Sequence, residues 1–170
     1  LNKENINNAT FIGHSFGGNT LTIFAAKNKE QVETLVLVDA SGVMPKRTFS
    51  YYFKVYTFKC LRFLYTKLFF WNNNTDGIKK FYEKFGSDDY QASQGVMRKT
   101  FVKVVNESTE ECFKDIDAET LLVWGELDDA TPVYMAKVFE SKIKNSGLVV
   151  FEKAGHFSYI DDYLLAFILL

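Results

Sequence analysis

Ala9-Thr10-Phe11-Ile12-Gly13-His14-Ser15-Phe16-Gly17-Gly18 is the stretch whose reading decides the fold. A short apolar run ends in a glycine, and from Phe16 onward Leu21, Phe24 and Ala25 recur at helical spacing to about Lys27. The segment therefore reads as a strand, a sharp turn and a helix. Next comes Thr34-Leu35-Val36-Leu37-Val38-Asp39, a β-branched, continuous apolar run of the kind that is buried on both faces of a parallel sheet. Leu121-Leu122-Val123-Trp124-Gly125 and Gly147-Leu148-Val149-Val150-Phe151 repeat that pattern. Between these two, Pro132 to Lys144 reads as a helix with Thr131 as N-cap and Pro132 at its first position. Strand, helix, strand, twice over, is the rhythm of right-handed parallel crossovers, so an α/β sheet of doubly wound type is expected.

The middle of the chain breaks this rhythm. Val43 to about Lys114 contains no convincing buried strand and is rich in Phe and Tyr. It shows helical periodicity around Tyr52 to Phe70, Ile78 to Phe85 and Gln94 to Val105, with loops at Asn72 to Gly77 and Gly86 to Asp89. A mostly helical insertion between two sheet strands is the simplest account. The expected organisation is thus a core part at 1–42, an inserted helical segment at 43–114, and a second core part at 115–170.

Composition sets outer bounds. The 170 residues are 47% hydrophobic and 24% charged, ordinary for a globular domain with a substantial core. Lys and Arg number 20 against 21 Asp and Glu, so charge gives no reason to expect nucleic acid as a partner. Cys60 and Cys112 stand far apart in no metal-ligand spacing, which favours a reducing, cytoplasmic setting. The most hydrophobic stretch, Phe49 to Trp71, is broken by Lys54, Lys59, Arg62 and Lys67, which argues against a transmembrane span. Those same cations could rest on an anionic membrane surface, but cations on a solvated face are the commoner arrangement. The chain opens on Leu1 and stops within the apolar run Leu164 to Leu170, so we expect an excerpt of a longer protein.

Chemistry concentrates at the quoted turn. Gly13-His14-Ser15-Phe16-Gly17 fits G-x-S-x-G directly after a strand and before a helix. In that context the tight turn demands small flanking residues, Gly13 and Gly17, and projects the Ser15 hydroxyl clear of the backbone. The helix start aims its positive end at the site, and the Phe16 N–H can donate to a developing oxyanion. The same residues also fit the frame of a phosphate-binding P-loop, yet Asn19 occupies the position that should hold lysine, and without that cation the phosphates lose their main charge partner.

A serine hydroxyl needs a base, and histidine is the side chain suited to that task. Of the two histidines, His14 adjoins the serine and is expected to pack or hydrogen-bond locally, which leaves His156 beyond the last strand. The acid belongs past a strand end, between serine and histidine in chain order. Glu126, Asp128 and Asp129 all follow the strand 121–125, and spacing alone leaves Asp128 and Asp129 tied.

Taken together, Gly13-His14-Ser15-Phe16-Gly17-Gly18, then Gly125, Asp128 and Pro132 in a G-x-x-D-x-x-x-P pattern, then Ala154-Gly155-His156, resemble the α/β-hydrolase superfamily. The likeness is to its lid-bearing branch of esterases, carbon-carbon bond hydrolases and iminopeptidase-like enzymes. That resemblance implies an α/β-hydrolase-like parallel sheet with Val43 to Lys114 as lid, and Ser15, Asp128 and His156 as nucleophile, acid and base. It implies a small-molecule substrate, hydrolysed through an acyl-enzyme without metal or organic cofactor. The aromatic residues between Phe49 and Trp71 would shape an apolar acyl pocket or simply pack the lid. Family members carry strands before the elbow and a second oxyanion donor after an early strand, which this sequence does not contain; the excerpt alone is expected to be inactive. Two alternatives use the same triad: a receptor-like protein that binds a small molecule without turnover, and an acyltransferase or perhydrolase.

Overall fold

In the computed structural model the described residues are 6–47, 106–163 and 167, with 49, 52, 53, 56, 57, 59, 60, 63, 96, 97, 100, 103 and 104. The chain divides into two compact units, one of Leu1–Pro45 with Val104–Leu170 and one of Lys46–Lys103.

The first unit is organised by β1 (Ala9–His14), β2 (Val32–Val38), β3 (Glu119–Gly125) and β4 (Ser146–Phe151), in the order β1-β2-β3-β4. All three pairings are parallel. Helix α1 (Phe16–Lys27) and a short 3-10 turn (Lys29–Gln31) connect β1 to β2, and α2 (Val133–Lys142) connects β3 to β4. A 3-10 helix at Glu110–Asp115 precedes β3, and the one-turn helix α3 (Ser158–Asp161) follows β4.

The period-2 geometry of a strand sorts the side chains onto two faces. Leu35 and Leu37 of β2 and Leu122 and Trp124 of β3 join one buried cluster with Phe113, Ile116, Met135, Phe139 and Ile143. Val36, Val38, Val123 and Phe151 turn to the other face and meet Ala154, with Tyr159 packed alongside. The continuous apolar runs arise because both faces of these strands are covered. On the first face Phe113 stacks on Phe139 at 4.1 Å between ring centroids, and Trp124 packs against the same ring.

Across the described strands the order advances steadily from β1 to β4. Two right-handed crossovers running the same way put their helices on the same side, and residues of α1 (Ala25) and α2 (Met135, Ala136, Phe139) do share one cluster. Helix α2 needs a correction: it begins at Val133 with Pro132 as its N-cap, one residue later than expected, and the Thr131 hydroxyl donates to the Asp128 carboxylate instead of capping the helix.

The unit boundaries also fall inside the expected 43–114 insertion. Val43 and Phe113 are buried in the first cluster, so both ends of that segment belong to the core. In the second unit Lys46 and Arg47 are irregular, and every other described position is helical. The segments 64–95 and 164–166, which include Tyr65, Lys67, Phe69, Phe70, Trp71, both expected loops and the Ile78 to Phe85 helix, lie outside the described residues. So do Tyr51, Lys54, Phe58 and Arg62. Among the described residues no helix is long and apolar enough to cross a membrane.

Candidate active site

The four strands deliver their carboxyl ends to one edge. His14 aligns with Val38, Val38 with Val123, and Val123 with Val149. Residues just beyond these positions are therefore neighbours in space, although they are far apart in sequence.

Ser15 follows β1 directly, with φ 51° and ψ −119°. This is a strained backbone for a residue with a Cβ, and the surrounding bonds enforce it. Its N–H donates to the Val38 carbonyl at 3.1 Å. Its own carbonyl accepts from the N–H groups of Gly18 (3.1 Å), Asn19 (3.4 Å) and Ser41 (3.1 Å), with the Ser41 hydroxyl at 3.3 Å. A serine at an N-cap ordinarily turns its oxygen onto the first helical turn, but Ser15 makes no such side-chain cap. Its hydroxyl is directed elsewhere.

The glycines around it differ in necessity. A Cβ at Gly13 would lie 2.9 Å from backbone atoms of Gly17 and Gly18, and one at Gly18 would lie 2.4 Å from the Ala40 Cβ. A Cβ at Gly17 would meet nothing within 4 Å. The elbow expectation of Gly13 and Gly17 is thus amended. Close packing requires Gly13 and Gly18, because α1 rests directly on the residue after Asp39. Asn19, at the place of a P-loop lysine, is buried, and its Oδ1 has no hydrogen-bond partner among the described residues.

Past β3 the backbone folds into a closed loop. The indole N–H of Trp124 donates to the Thr131 carbonyl, which ties the two ends together inside the core. Within the loop, Asp128 Oδ1 accepts from the N–H groups of Ala130 (2.8 Å) and Thr131 (2.9 Å), and Oδ2 accepts from the Thr131 hydroxyl at 2.6 Å. The Asp128 side chain has no solvent-accessible surface, so these donors are what make its burial tolerable. Glu126 and Asp129 are exposed, and Glu126 instead accepts the Lys153 N–H through its own carboxylate. Of the three carboxylates past β3, Asp128 is the one brought to the histidine.

His156 sits between the other two. Its Nδ1 lies 2.9 Å from Asp128 Oδ2, and its Nε2 lies 3.0 Å from Ser15 Oγ. A carboxylate oxygen facing Nδ1 accepts, so Nδ1 carries the proton; Nε2 is then bare and accepts from the Ser15 hydroxyl. The loop bearing His156 is joined to the acid loop main chain to main chain. Glu126 N–H donates to the Phe151 carbonyl (3.0 Å) and Leu127 N–H to the Ala154 carbonyl (2.8 Å).

Spacing alone did not reveal three further side chains at this edge. His14 packs, its ring against those of His156 and Phe157, but its hydrogen bond is long-range: Nε2 donates to the His156 carbonyl at 2.8 Å. Thr131 serves Asp128 where a helix cap was expected. Asp39 is fully buried and accepts hydrogen bonds from Gly125 and Ser158, and burial pushes its carboxyl above the ordinary aspartate value despite those bonds. A carboxylate continuing a wholly apolar strand, Leu35 to Val38, was the available signal.

The comparisons agree with this architecture. Residues 1–163 match the family described as the alpha/beta hydrolase fold, and the chain belongs to that family. Among solved structures it is similar to a meta-cleavage product hydrolase from Pseudomonas fluorescens, at 22% identity and a TM-score of 0.63, covering 99% of this chain and 65% of that one. A serine hydrolase from Cycloclasticus zankles, a polyaromatic-hydrocarbon-degrading bacterium, gives 18% identity and a TM-score of 0.64, covering 99% and 64%. The chain thus spans a little under two thirds of the length of these structures. At such identities the likeness is one of fold. No curated protein matches the sequence.

Proposed function

We propose that this chain carries the Ser-His-Asp machinery of a serine hydrolase acting on an ester or related carbonyl. The observation behind the reading is a single imidazole, His156, bridging the Ser15 hydroxyl and the buried Asp128 carboxylate at 3.0 and 2.9 Å. Such an arrangement can move one proton along a defined path.

In the proposed cycle His156 Nε2 takes the hydroxyl proton as Ser15 Oγ bonds to the substrate carbonyl carbon. The Asp128 carboxylate holds the ring in the required tautomer and stabilises the imidazolium that forms. Negative charge develops on the former carbonyl oxygen. The Phe16 N–H, which opens α1 and has no carbonyl one turn behind it within the helix, is available to donate there. His156 then returns the proton to the leaving group. Water, deprotonated by the same nitrogen, cleaves the acyl-enzyme and regenerates Ser15. Protons and bonds balance among the three side chains, substrate and water.

The proposed substrate is a small molecule with an apolar acyl part. Each triad residue has a large, exposed apolar neighbour in the chain: Phe16 beside Ser15, Leu127 beside Asp128, and Phe157 beside His156. Exposed apolar surface around a polar centre suits a ligand that buries hydrocarbon against it. A lid role for the inserted segment belongs to the same proposal and is carried by the family resemblance. The test is reaction of the intact protein with a fluorophosphonate. Labelling at Ser15 is expected, and it should disappear in Ser15→Ala; a folded wild-type protein that resists labelling would overturn the assignment.

A further inference from the structure

Asp39 does not reach the reacting atoms, yet it binds both loops that carry the acid and the base. It stands immediately after β2, at φ 44°, a left-handed conformation that Asp and Asn tolerate better than most residues. Its backbone is fixed to the neighbouring strand through its N–H, which donates to the Val123 carbonyl at 2.9 Å. Oδ1 accepts the Gly125 N–H at 2.8 Å, at the root of the loop that holds Asp128. Oδ2 accepts from Ser158, both the N–H at 3.1 Å and the hydroxyl at 2.6 Å, two residues beyond His156. The Asp39 carbonyl lies 3.1 Å from the hydroxyl of Thr131, the residue that serves the Asp128 carboxylate. The side chain is 0% exposed, so no water competes for these donors at its surface.

A buried carboxylate is an expensive way to hold a loop, and an apolar residue would fill the space without the desolvation cost. What the carboxylate offers is two acceptor oxygens on one rigid plane. One oxygen holds the acid loop and the other the base loop, so the plane sets the distance between them. We propose that Asp39 is a positioning residue for the triad. It fixes the approach of His156 to Asp128 by holding Gly125 and Ser158 at once, and it acts on the Ser15 chemistry only through that spacing. This inference rests on the serine hydrolase reading of the site.

Asp39→Asn is the informative change. An amide keeps the volume and accommodates the same φ, but it has one accepting oxygen where two are used, so one anchoring N–H is left facing an NH2 group. We expect kcat on a p-nitrophenyl ester to fall by up to about 100-fold in the intact protein, the scale of an ångström-sized misplacement, while KM moves little. The low-field proton resonance of His156 Nδ1–H should shift or vanish in parallel. Ser158→Ala, which removes only the hydroxyl, should move the same resonance with a smaller loss of kcat. It decides the question should Asp39→Asn fail to fold by circular dichroism. Turnover and an Nδ1–H resonance unchanged from wild type in whichever of these variants folds would overturn the role. The resonance is read without turnover, so the two readings fail separately. An inert wild type whose resonance still responds to Asp39 breaks the hydrolase assignment alone, and an active enzyme whose resonance ignores Asp39 breaks the positioning role alone.

Discussion

The serine and its two partners are held in place by different means. The Ser15 elbow is mostly a local object: its carbonyl is bonded from Gly18 and Asn19, its strained φ is contiguous with the helix start, and its tightest clearances lie at Gly13 and Gly18. The acid and base loops have little internal regularity. They are held by contacts across long stretches of chain, with Asp39 bonded to residues 86 and 119 positions away. On the proposed roles, a nucleophile is positioned by a pentapeptide in the right strand-helix context, whereas an acid and base on separate loops call for a third element that bonds to both.

The sharpest way to break the loop side is Gly125→Ala. A Cβ there would come within 2.1 Å of the Gly155 carbonyl oxygen and 2.6 Å of that of Ala154, and both are backbone atoms that cannot swing aside. The base loop must retreat. Overpacking of this kind costs about 1–3 kcal/mol, and the displacement of His156 should lower the rate of fluorophosphonate labelling by about 100-fold. A labelling rate close to wild type would show that the two loops tolerate separation and that their contact is incidental.

On the elbow side a paired experiment separates motif from necessity. Gly18→Ala drives a Cβ into the Ala40 Cβ, and about 1–3 kcal/mol of stability should be lost. Gly17→Ala finds open space inside a helix, where alanine is favoured over glycine by roughly 0.5–1 kcal/mol. Thermal melts of the two variants should therefore move in opposite directions. A destabilised Gly17→Ala would mean that the pentapeptide glycine is needed after all.

The smallest expected effect is one of pH. Burial raises the Asp39 pKa above 3.8, with the nearby Asp128 charge adding in the same sense, and the bonds from Ser158 and Gly125 opposing. A carboxyl whose folded pKa exceeds its unfolded one penalises the fold while ionised. That penalty fades as pH falls through the folded value and is gone below about 3.8. The unfolding free energy of wild type relative to Asp39→Asn should therefore rise on acidification through that window. A relative fall would show that hydrogen bonds outweigh desolvation at Asp39, reversing the sign of its pKa shift.

Much of this architecture was legible in residues. Continuous β-branched runs gave away the buried strands, since only a sheet covered on both faces buries Leu35 and Val36 alike. The elbow was legible because its chemistry is contiguous. Hidden from the sequence were the features that depend on which chain ends meet. Local spacing is silent on whether Asp128 or Asp129 points inward at the strand end, and only the family's G-x-x-D-x-x-x-P pattern singled out Asp128. The partner of His14 lies 142 residues away. Helix α2 starts one residue later than expected, and Thr131 serves a carboxylate three positions earlier, a competition between cap and site that propensity does not register.

The crowd of donors on the Ser15 carbonyl has a consequence beyond holding the turn. Because a peptide group is planar and trans, its oxygen and the following hydrogen point in opposite directions. With the oxygen clasped by Gly18, Asn19 and Ser41, the plane joining residues 15 and 16 cannot flip, and the hydrogen on its far side is aimed outward before any ligand arrives. On the proposed reading, a dipole set in advance need not rotate when negative charge appears in front of it, and this part of the solvation would already be in place when the bond forms.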